Sequence, residues 1–95
     1  MRLEVLFGTP VGGSGTLYLT DELIIGSSSR CDLRWQDKDI SPENTRIFLK
    51  EQMVYIEDLG SACGTALGGM RLHAPNRLRS GDEISIGSVR FVLRF

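Results

Sequence analysis

The chain has 95 residues, with eleven Lys and Arg against twelve Asp and Glu and a formal net charge of −1 at pH 7. This length predicts one domain over residues 1–95, complete or cut from a longer chain, and the balanced charge favours neither nucleic acid nor an anionic membrane as a partner. No apolar run reaches the roughly 20 residues of a membrane span, so no direct membrane insertion is expected. Two cysteines are too few for a disulfide scaffold, which predicts reduced thiols and a cytoplasmic domain, alone or as the cytosolic part of a larger or membrane-associated protein.

The first half of the chain alternates apolar and polar residues with a period of two. Leu3, Val5 and Phe7 predict a first strand with one buried face. A Gly-rich loop over 12–15 then leads to a second strand predicted over 16–20. Further along, residues 50–52 predict a tight hairpin between strands over 45–49 and 53–58.

The second half repeats this pattern. Gly68 and Gly69 suit a two-residue hairpin turn. Ile84 and Ile86 mark a late strand, and Val89–Phe95 continue the alternation after a turn. No uninterrupted window has the 3.6-residue period of a helix. The pattern therefore predicts an all-β sandwich or barrel of about ten to eleven short, mostly antiparallel strands.

A set of regularly spaced apolar residues is predicted to fill the core. These residues are Leu33, Ile47, Val54, Ile56, Leu59, Ile84, Ile86, Phe91 and Leu93. Trp35, the single tryptophan, suits either the core or an exposed anchor for a partner.

Catalysis and metal binding have weak support in the sequence. Cys63 lies in a Gly-rich turn, but the only histidine, His73, has no evident partner to orient it as a base. Cys31, Cys63 and His73 are too scattered for a metal set, and the loop at 12–15 lacks the Lys and helix of a phosphate-binding loop. We therefore expect no enzyme, no catalytic residue, no metal and no cofactor. A redox-sensitive pair of Cys31 and Cys63 stays open as an alternative.

Arginine is concentrated late in the chain. From Arg71 onward there are five Arg against Asp82 and Glu83, a net charge of +3. These residues suit an ordinary solvated face or a site for an acidic partner.

Four motifs in a fixed order resemble the forkhead-associated (FHA) domain, a β-sandwich that reads phosphothreonine. They are a Gly26 turn leading to Cys31-Asp32-Leu33, Ser41, the run from Glu57 to Thr65, and Leu78-x-x-Gly81-Asp82-x-Ile84-x-Ile86-Gly87. The resemblance covers residues 17–95 and implies an FHA-like sandwich with binding loops at one end.

The resemblance also implies which positions hold the phosphopeptide, and most of them are substituted. Ser27 stands where the family has the phosphate-binding Arg, and Asn44 stands where it has a structural His. Ala62 replaces the usual Thr or Ser, and Cys63 replaces the Asn that holds the peptide backbone. Ser41 is kept, and so are turn positions such as Gly64.

These substitutions predict a non-catalytic interaction and signalling scaffold whose ordinary phosphothreonine recognition is lost or strongly weakened. Its expected partner is a protein or a phosphorylated peptide. The expected loops, 26–31, 36–46 and 60–69, contain Arg30, Lys38 and Arg46 against three acids, so they provide no excess positive charge. The alternative is an atypical phosphothreonine-peptide reader that uses Arg30, Ser41 and Arg46.

Overall fold

The computed structural model describes residues 2–9 and 12–95, and these contain eleven strands and no helix. The predicted all-β fold, with about ten to eleven short strands, is therefore confirmed. The strands are β1 Leu3–Gly8, β2 Ser14–Leu19, β3 Glu22–Gly26, β4 Leu33–Arg34, β5 Thr45–Lys50, β6 Met53–Asp58, β7 Ala66–Leu67, β8 Met70–Arg71, β9 Asn76–Arg77, β10 Glu83–Ile86 and β11 Val89–Arg94.

The strands form two sheets that together make a sandwich. One sheet has six strands in the order β2-β1-β11-β10-β7-β8, and the other has five in the order β4-β3-β5-β6-β9. The pairing of β3 with β4 is parallel, whereas the other described pairings are antiparallel. Because sandwich strands bury alternate residues, the period of two in the sequence becomes one inner face on each sheet.

The core lies between the two sheets, and its apolar side chains are almost inaccessible to solvent. Its most buried large members are Phe91, Leu19, Ile25, Ile47, Ile56, Leu78, Ile84, Ile86, Leu93 and Val5.

The prediction that Leu59 belongs to the core is wrong. The sequence left the position of Trp35 open, and the structure places it at the core. Leu59 is 37% exposed because it begins the loop after β6, where its backbone N–H binds the carbonyl of Asn44 at 3.0 Å. Trp35 packs against the core, with its ring centroid 4.9 Å from that of Phe91 and 6.5 Å from that of Phe7. The tryptophan is therefore a partly buried core residue.

One turn and one strand show how local backbone preferences enter the fold. Glu51 and Gln52 form the turn between β5 and β6 with φ angles of 53° and 66°, a left-handed conformation that glycine or asparagine adopts more readily. Strand β2 begins at Ser14, two residues before the predicted start. Gly15 pairs with Phe7 in this strand, and glycine suits the position because a Cβ there would lie 2.6 Å from the Phe7 ring.

Residues 2–9 and 12–95 contain no helix long and apolar enough to cross a membrane.

Candidate functional site

Three loops meet at one end of the sandwich, which we call the loop end. They are the first loop (residues 27–32, after β3), the second loop (35–44, before β5) and the third loop (59–65, after β6). The N–H of Ser27 donates to the carbonyl of Ser41 at 3.1 Å, and the N–H of Ser28 donates to that of Pro42 at 3.1 Å. These bonds join the first and second loops backbone to backbone.

Gly26 allows this close approach. A Cβ at that position would overlap the Pro42 carbonyl and lie 2.8 Å from the Ser41 carbonyl oxygen. Any other residue at 26 would force the first two loops apart.

Ser41 also joins the second loop to the third. Its Oγ accepts the N–H of Ala62 at 3.1 Å, although the two residues lie 21 positions apart in the sequence. The hydroxyl proton of Ser41 has no acceptor among the described residues and remains available to a ligand. Ser41 is therefore a bridge between the first, second and third loops.

Asn44 is the buried centre of the loop end, with 0% of its surface exposed. Its Oδ1 accepts the Ser41 N–H at 3.1 Å, and because a backbone N–H only donates, this bond fixes the orientation of the carboxamide. Its Nδ2 then donates to Thr45 Oγ1 at 3.1 Å, to Thr65 Oγ1 at 3.3 Å and to the Gly64 carbonyl at 3.4 Å. The residue in the family's His position thus links the second and third loops.

A chain of hydroxyl groups extends from Asn44 to Asp58. Thr65 Oγ1 donates to Asp58 Oδ1 at 2.8 Å, which uses its only proton. The 2.7 Å bond between Thr45 and Thr65 is therefore donated by Thr45. Each member is bonded, and no buried side-chain N or O in residues 2–9 and 12–95 lacks a hydrogen-bond partner, so these bonds offset the cost of burying the polar groups.

Asp58 shapes the third loop as the sequence predicted. It accepts the N–H groups of Gly60 and Ser61 at 3.0 Å each, as well as the hydroxyl groups of Ser61 and Thr65. Burial alone would raise the pKa of Asp58, but hydrogen bonds from Ser61, Thr65 and Gly60 outweigh it and lower the pKa below its ordinary value.

Both cysteines lie at the loop end as free thiols with their own acceptors. Cys31 Sγ donates to the Pro42 carbonyl at 3.0 Å, and Cys63 Sγ donates to Asn44 Oδ1 at 3.4 Å. Burial raises the pKa of the Cys31 thiol, and Glu43 and Asp32 raise it further. At neutral pH this thiol is protonated, so it acts as a hydrogen-bond donor rather than a nucleophile.

The other predicted groups for catalysis or metal binding do not come together in the described residues. No hydrogen bond joins His73 to Cys63 within residues 2–9 and 12–95, and no group of three His, Cys, Asp or Glu there has metal-binding geometry. His73 instead lines a cleft of about 480 Å³ together with Asp58, Ser61 and Arg71.

The arginines near the loop end differ in how they are held. Arg46 lies on the outer face of its sheet, where it pairs with Glu57 at 2.8 Å and with Glu22 at 3.3 Å. Arg34 Nε donates to the Ser27 carbonyl at 2.9 Å. Arg30 is exposed, and its guanidinium bonds to none of the described residues.

Acidic residues lie beside Ser41 in the second loop. Asp39 and Glu43 are both exposed. The Cβ of Asp39 would lie 3.5 Å from a Cβ built on Gly87, in the turn between β10 and β11. Ser88 Oγ donates to Asp37 Oδ2 at 3.1 Å and holds the second loop against that turn.

Arg71 contacts the loop end although the sequence-based loop boundaries left it out. A Cβ built on Gly64 would lie 2.7 Å from Arg71 Nε, 2.9 Å from Cζ and 3.1 Å from Nη2. The guanidinium therefore covers Gly64, whose φ of +80° independently favours glycine. Arg71 is brought close to Gly64 by the pairing of β7 with β8, in which Ala66 lies opposite Arg71.

The two-sheet architecture and the three joined loops define a β-sandwich interaction domain whose candidate binding surface is built from loops. The FHA domain family profile matches residues 23–87, and the chain belongs to the FHA domain family. This family consists of modules that bind phosphothreonine peptides. The predicted family and fold are confirmed.

Individual relatives agree with this assignment. Mouse proliferation marker protein Ki-67 is 35% identical over 63 residues, which cover 66% of this chain and 2% of that protein. The FHA domain of CT664 from Chlamydia trachomatis is 24% identical, with 98% of each chain covered and a TM-score of 0.85. The N-terminal FHA domain of S. cerevisiae RAD53P, solved with a phosphothreonine peptide, is 19% identical, with 98% and 94% covered and a TM-score of 0.86.

Proposed function

We propose that residues 1–95 form a non-catalytic interaction module that binds a protein segment at the loop end with little or no dependence on phosphate. The observation that carries this proposal is the neutral side chain of Ser27 at the position of the family's phosphate-binding Arg. Both backbone polar groups of Ser27 are already bonded, to Ser41 and to Arg34. The residue thus offers a phosphate only one neutral hydroxyl.

Charge around the loop end supports the same proposal. A phosphothreonine carries about −1.5 to −2 charge at pH 7. Arg46 would have to give up two ion pairs, with Glu22 and Glu57, to reach it. Asp39 and Glu43, exposed on both sides of Ser41, would repel it.

The loss of the phosphate-binding Arg makes the free energy of phosphopeptide binding less favourable by enough to change the function. Each hydrogen bond to a charged group contributes roughly 1.5–3 kcal/mol. An Arg at the Ser27 position could make two such bonds to phosphate, and their loss weakens binding by about 3–6 kcal/mol, or roughly 10²–10⁴ in affinity. A micromolar phosphopeptide reader would become about millimolar or weaker.

Calorimetry with matched peptide pairs tests this proposal. Phosphothreonine peptides selected from an array are titrated into the domain alongside their unphosphorylated counterparts. We expect each pair to differ by less than about tenfold in Kd. Tight binding that disappears on dephosphorylation would contradict the proposal.

A second candidate function is an atypical phosphothreonine reader centred on Arg30 and Ser41. The unpaired guanidinium of Arg30 and the free hydroxyl proton of Ser41 favour it. This function requires that Arg30→Ala and Ser41→Ala each weaken phosphopeptide binding at least about tenfold, with Lys38→Ala as a matched loss of charge in the second loop. Unchanged affinity in both variants would eliminate it.

A further inference from the structure

Arg71 is held in place by the backbone on which it lies. Strand β8 pairs with β7, and the N–H of the next residue, Leu72, donates to the Thr65 carbonyl at 2.8 Å. Leu72 is only 7% exposed and anchors this segment in the core. A side chain on such a fixed backbone loses less entropy when it binds a ligand than one on a free loop.

The guanidinium lies flat over Gly64. Three of its atoms, Nε, Cζ and Nη2, are nearly equidistant from a Cβ built on Gly64, at 2.7–3.1 Å, so the glycine faces the guanidinium plane. The N–H bonds lie in that plane and therefore do not point at Gly64. No hydrogen bond or ion pair within residues 2–9 and 12–95 uses them. They remain free for a planar anion, which guanidinium binds through two parallel hydrogen bonds.

A small cleft beside this guanidinium has the size of one side chain. It has a volume of about 210 Å³, and Arg71 is the only charged residue in its lining, which also includes Cys63, Ser85 and Gly87. Small-molecule sites are usually larger, about 300–1,000 Å³. The cleft of about 480 Å³ that Arg71 also lines is bordered by Glu57 and Asp58, whose carboxylates disfavour an anion there.

We propose that this small cleft binds an acidic side chain of the partner segment, a carboxylate or a phosphate, and that Arg71 is the residue that selects it. The inference rests on the proposed function, because a segment bound across the loop end at Cys63 would bring its neighbouring side chain to Arg71. Cys63 and Gly64 are adjacent, with α-carbons about 3.8 Å apart. Asp39 lies beside Gly87, which also lines the cleft. The Asp39 carboxylate repels an anion there, so the favourable position for the anion is next to Arg71.

A peptide array tests the assignment. Array peptides carry a central threonine or phosphothreonine, and each flanking position is varied among Asp, Glu, phosphoserine, Asn, Gln and Ser. Wild-type domain, Arg71→Gln, Arg71→Lys and the control Arg77→Gln are compared. Arg77 is exposed on β9 in the opposite sheet, so its substitution removes the same charge away from the cleft.

We expect wild-type domain and Arg77→Gln to select an acidic residue at one flanking position by about tenfold over its neutral counterpart. Arg71→Gln loses this selection, and Arg71→Lys retains part of it. The Asp and Glu peptides, compared with the phosphoserine peptides, identify which anion is preferred. If peptides bind in a threonine-dependent way but no acidic residue is preferred, the role of Arg71 is overturned and the proposed function is not. The same holds if the acidic preference survives in Arg71→Gln. Absence of binding to every peptide overturns this role together with the proposed function. Backbone amide NMR spectra of each variant confirm that it is folded.

Discussion

The side-chain oxygen of Asn44 accepts the backbone N–H of Ser41 at 3.1 Å, and this bond connects the buried centre of the loop end to the residue that bridges the second and third loops. The same carboxamide donates to Thr45, Gly64 and Thr65. One residue therefore sets the positions of the second and third loops. The resemblance implies a structural histidine at this position in the family, whereas here an asparagine links the loops.

Replacing Asn44 by alanine should destabilise the domain by about 2–4 kcal/mol, because several buried groups lose their partners at once. Urea denaturation monitored by tryptophan fluorescence measures the change in the free energy of unfolding. Asn76→Ala is the control, since Asn76 is exposed and its side chain bonds to the Ala74 carbonyl and to no other described residue, and it should change stability by less than about 0.5 kcal/mol. Equal effects of the two substitutions would show that the buried centre does not hold the loops.

The carboxylate of Asp58 should make stability depend on pH in the acid range. Its hydrogen bonds lower its pKa in the folded state below the ordinary 3.8, so the unfolded chain binds the proton more readily than the folded one. The stabilisation is therefore full above this ordinary value and is lost as the pH falls through the folded pKa. At pH 7 we expect Asp58→Asn to cost about 1–3 kcal/mol.

Acid unfolding of matched variants checks this expectation. The stability difference between wild-type domain and Asp58→Asn should shrink as the pH falls below 3.8. Asp21→Asn serves as the control, because Asp21 is exposed and its side chain makes no hydrogen bond to the described residues. A stability difference for Asp58→Asn that stays constant between pH 7 and pH 2 would exclude the carboxylate as its source.

The sequence predicted the strands and the frame well because both depend on local patterns. Alternation identifies Ile84 and Ile86 as buried, and Gly26 is required by a backbone approach that other residues would block. The Asp58 turn was also predictable, since aspartate commonly binds the amides that follow it. The strands and the Asp58 turn involve residues close in sequence, whereas the place of Gly26 followed from the resemblance to the family motif.

Pairings between distant residues could not be predicted in the same way. Arg46 was assigned to a recognition loop, but its partners Glu22 and Glu57 lie 24 and 11 residues away and are brought to it by neighbouring strands. The contact of Arg71 with Gly64 depends on the strand register and on a glycine that leaves room for a guanidinium. A net charge summed over loops cannot reveal either arrangement.

The hairpin between β5 and β6 offers a stabilising substitution. Gln52 has a φ of 66°, and a non-glycine residue in this left-handed region is disfavoured by about 1–2 kcal/mol. Gln52→Gly should therefore raise the free energy of unfolding by about 0.5–1 kcal/mol, after the entropy of a more flexible unfolded chain is subtracted. Thermal unfolding measures the gain. Gln36→Gly, in an exposed segment without a positive φ, should not stabilise the domain. Stabilisation by both would point to an effect outside the turn.

The weakened phosphate grip is best tested by restoring the family's residue. Ser27→Arg returns a guanidinium to the first loop, beside the free hydroxyl proton of Ser41. We expect phosphothreonine peptides to bind at least about tenfold more tightly to this variant, with little change for their unphosphorylated counterparts. Because the gain is electrostatic, it should decrease as the salt concentration rises. Calorimetry at two salt concentrations measures both effects.

Ser29→Arg distinguishes a restored grip from added charge, because Ser29 is exposed in the same first loop. An equal gain from both variants would mean that any cation in the loop attracts the peptide, and Ser27 would lose its special role. If Ser27→Arg brings no gain, the double variant Ser27→Arg/Cys63→Asn decides whether the missing peptide-backbone contact at Cys63 is responsible. Failure of the double variant as well would contradict the view that the missing contacts at Ser27 and Cys63 weaken the phosphate grip.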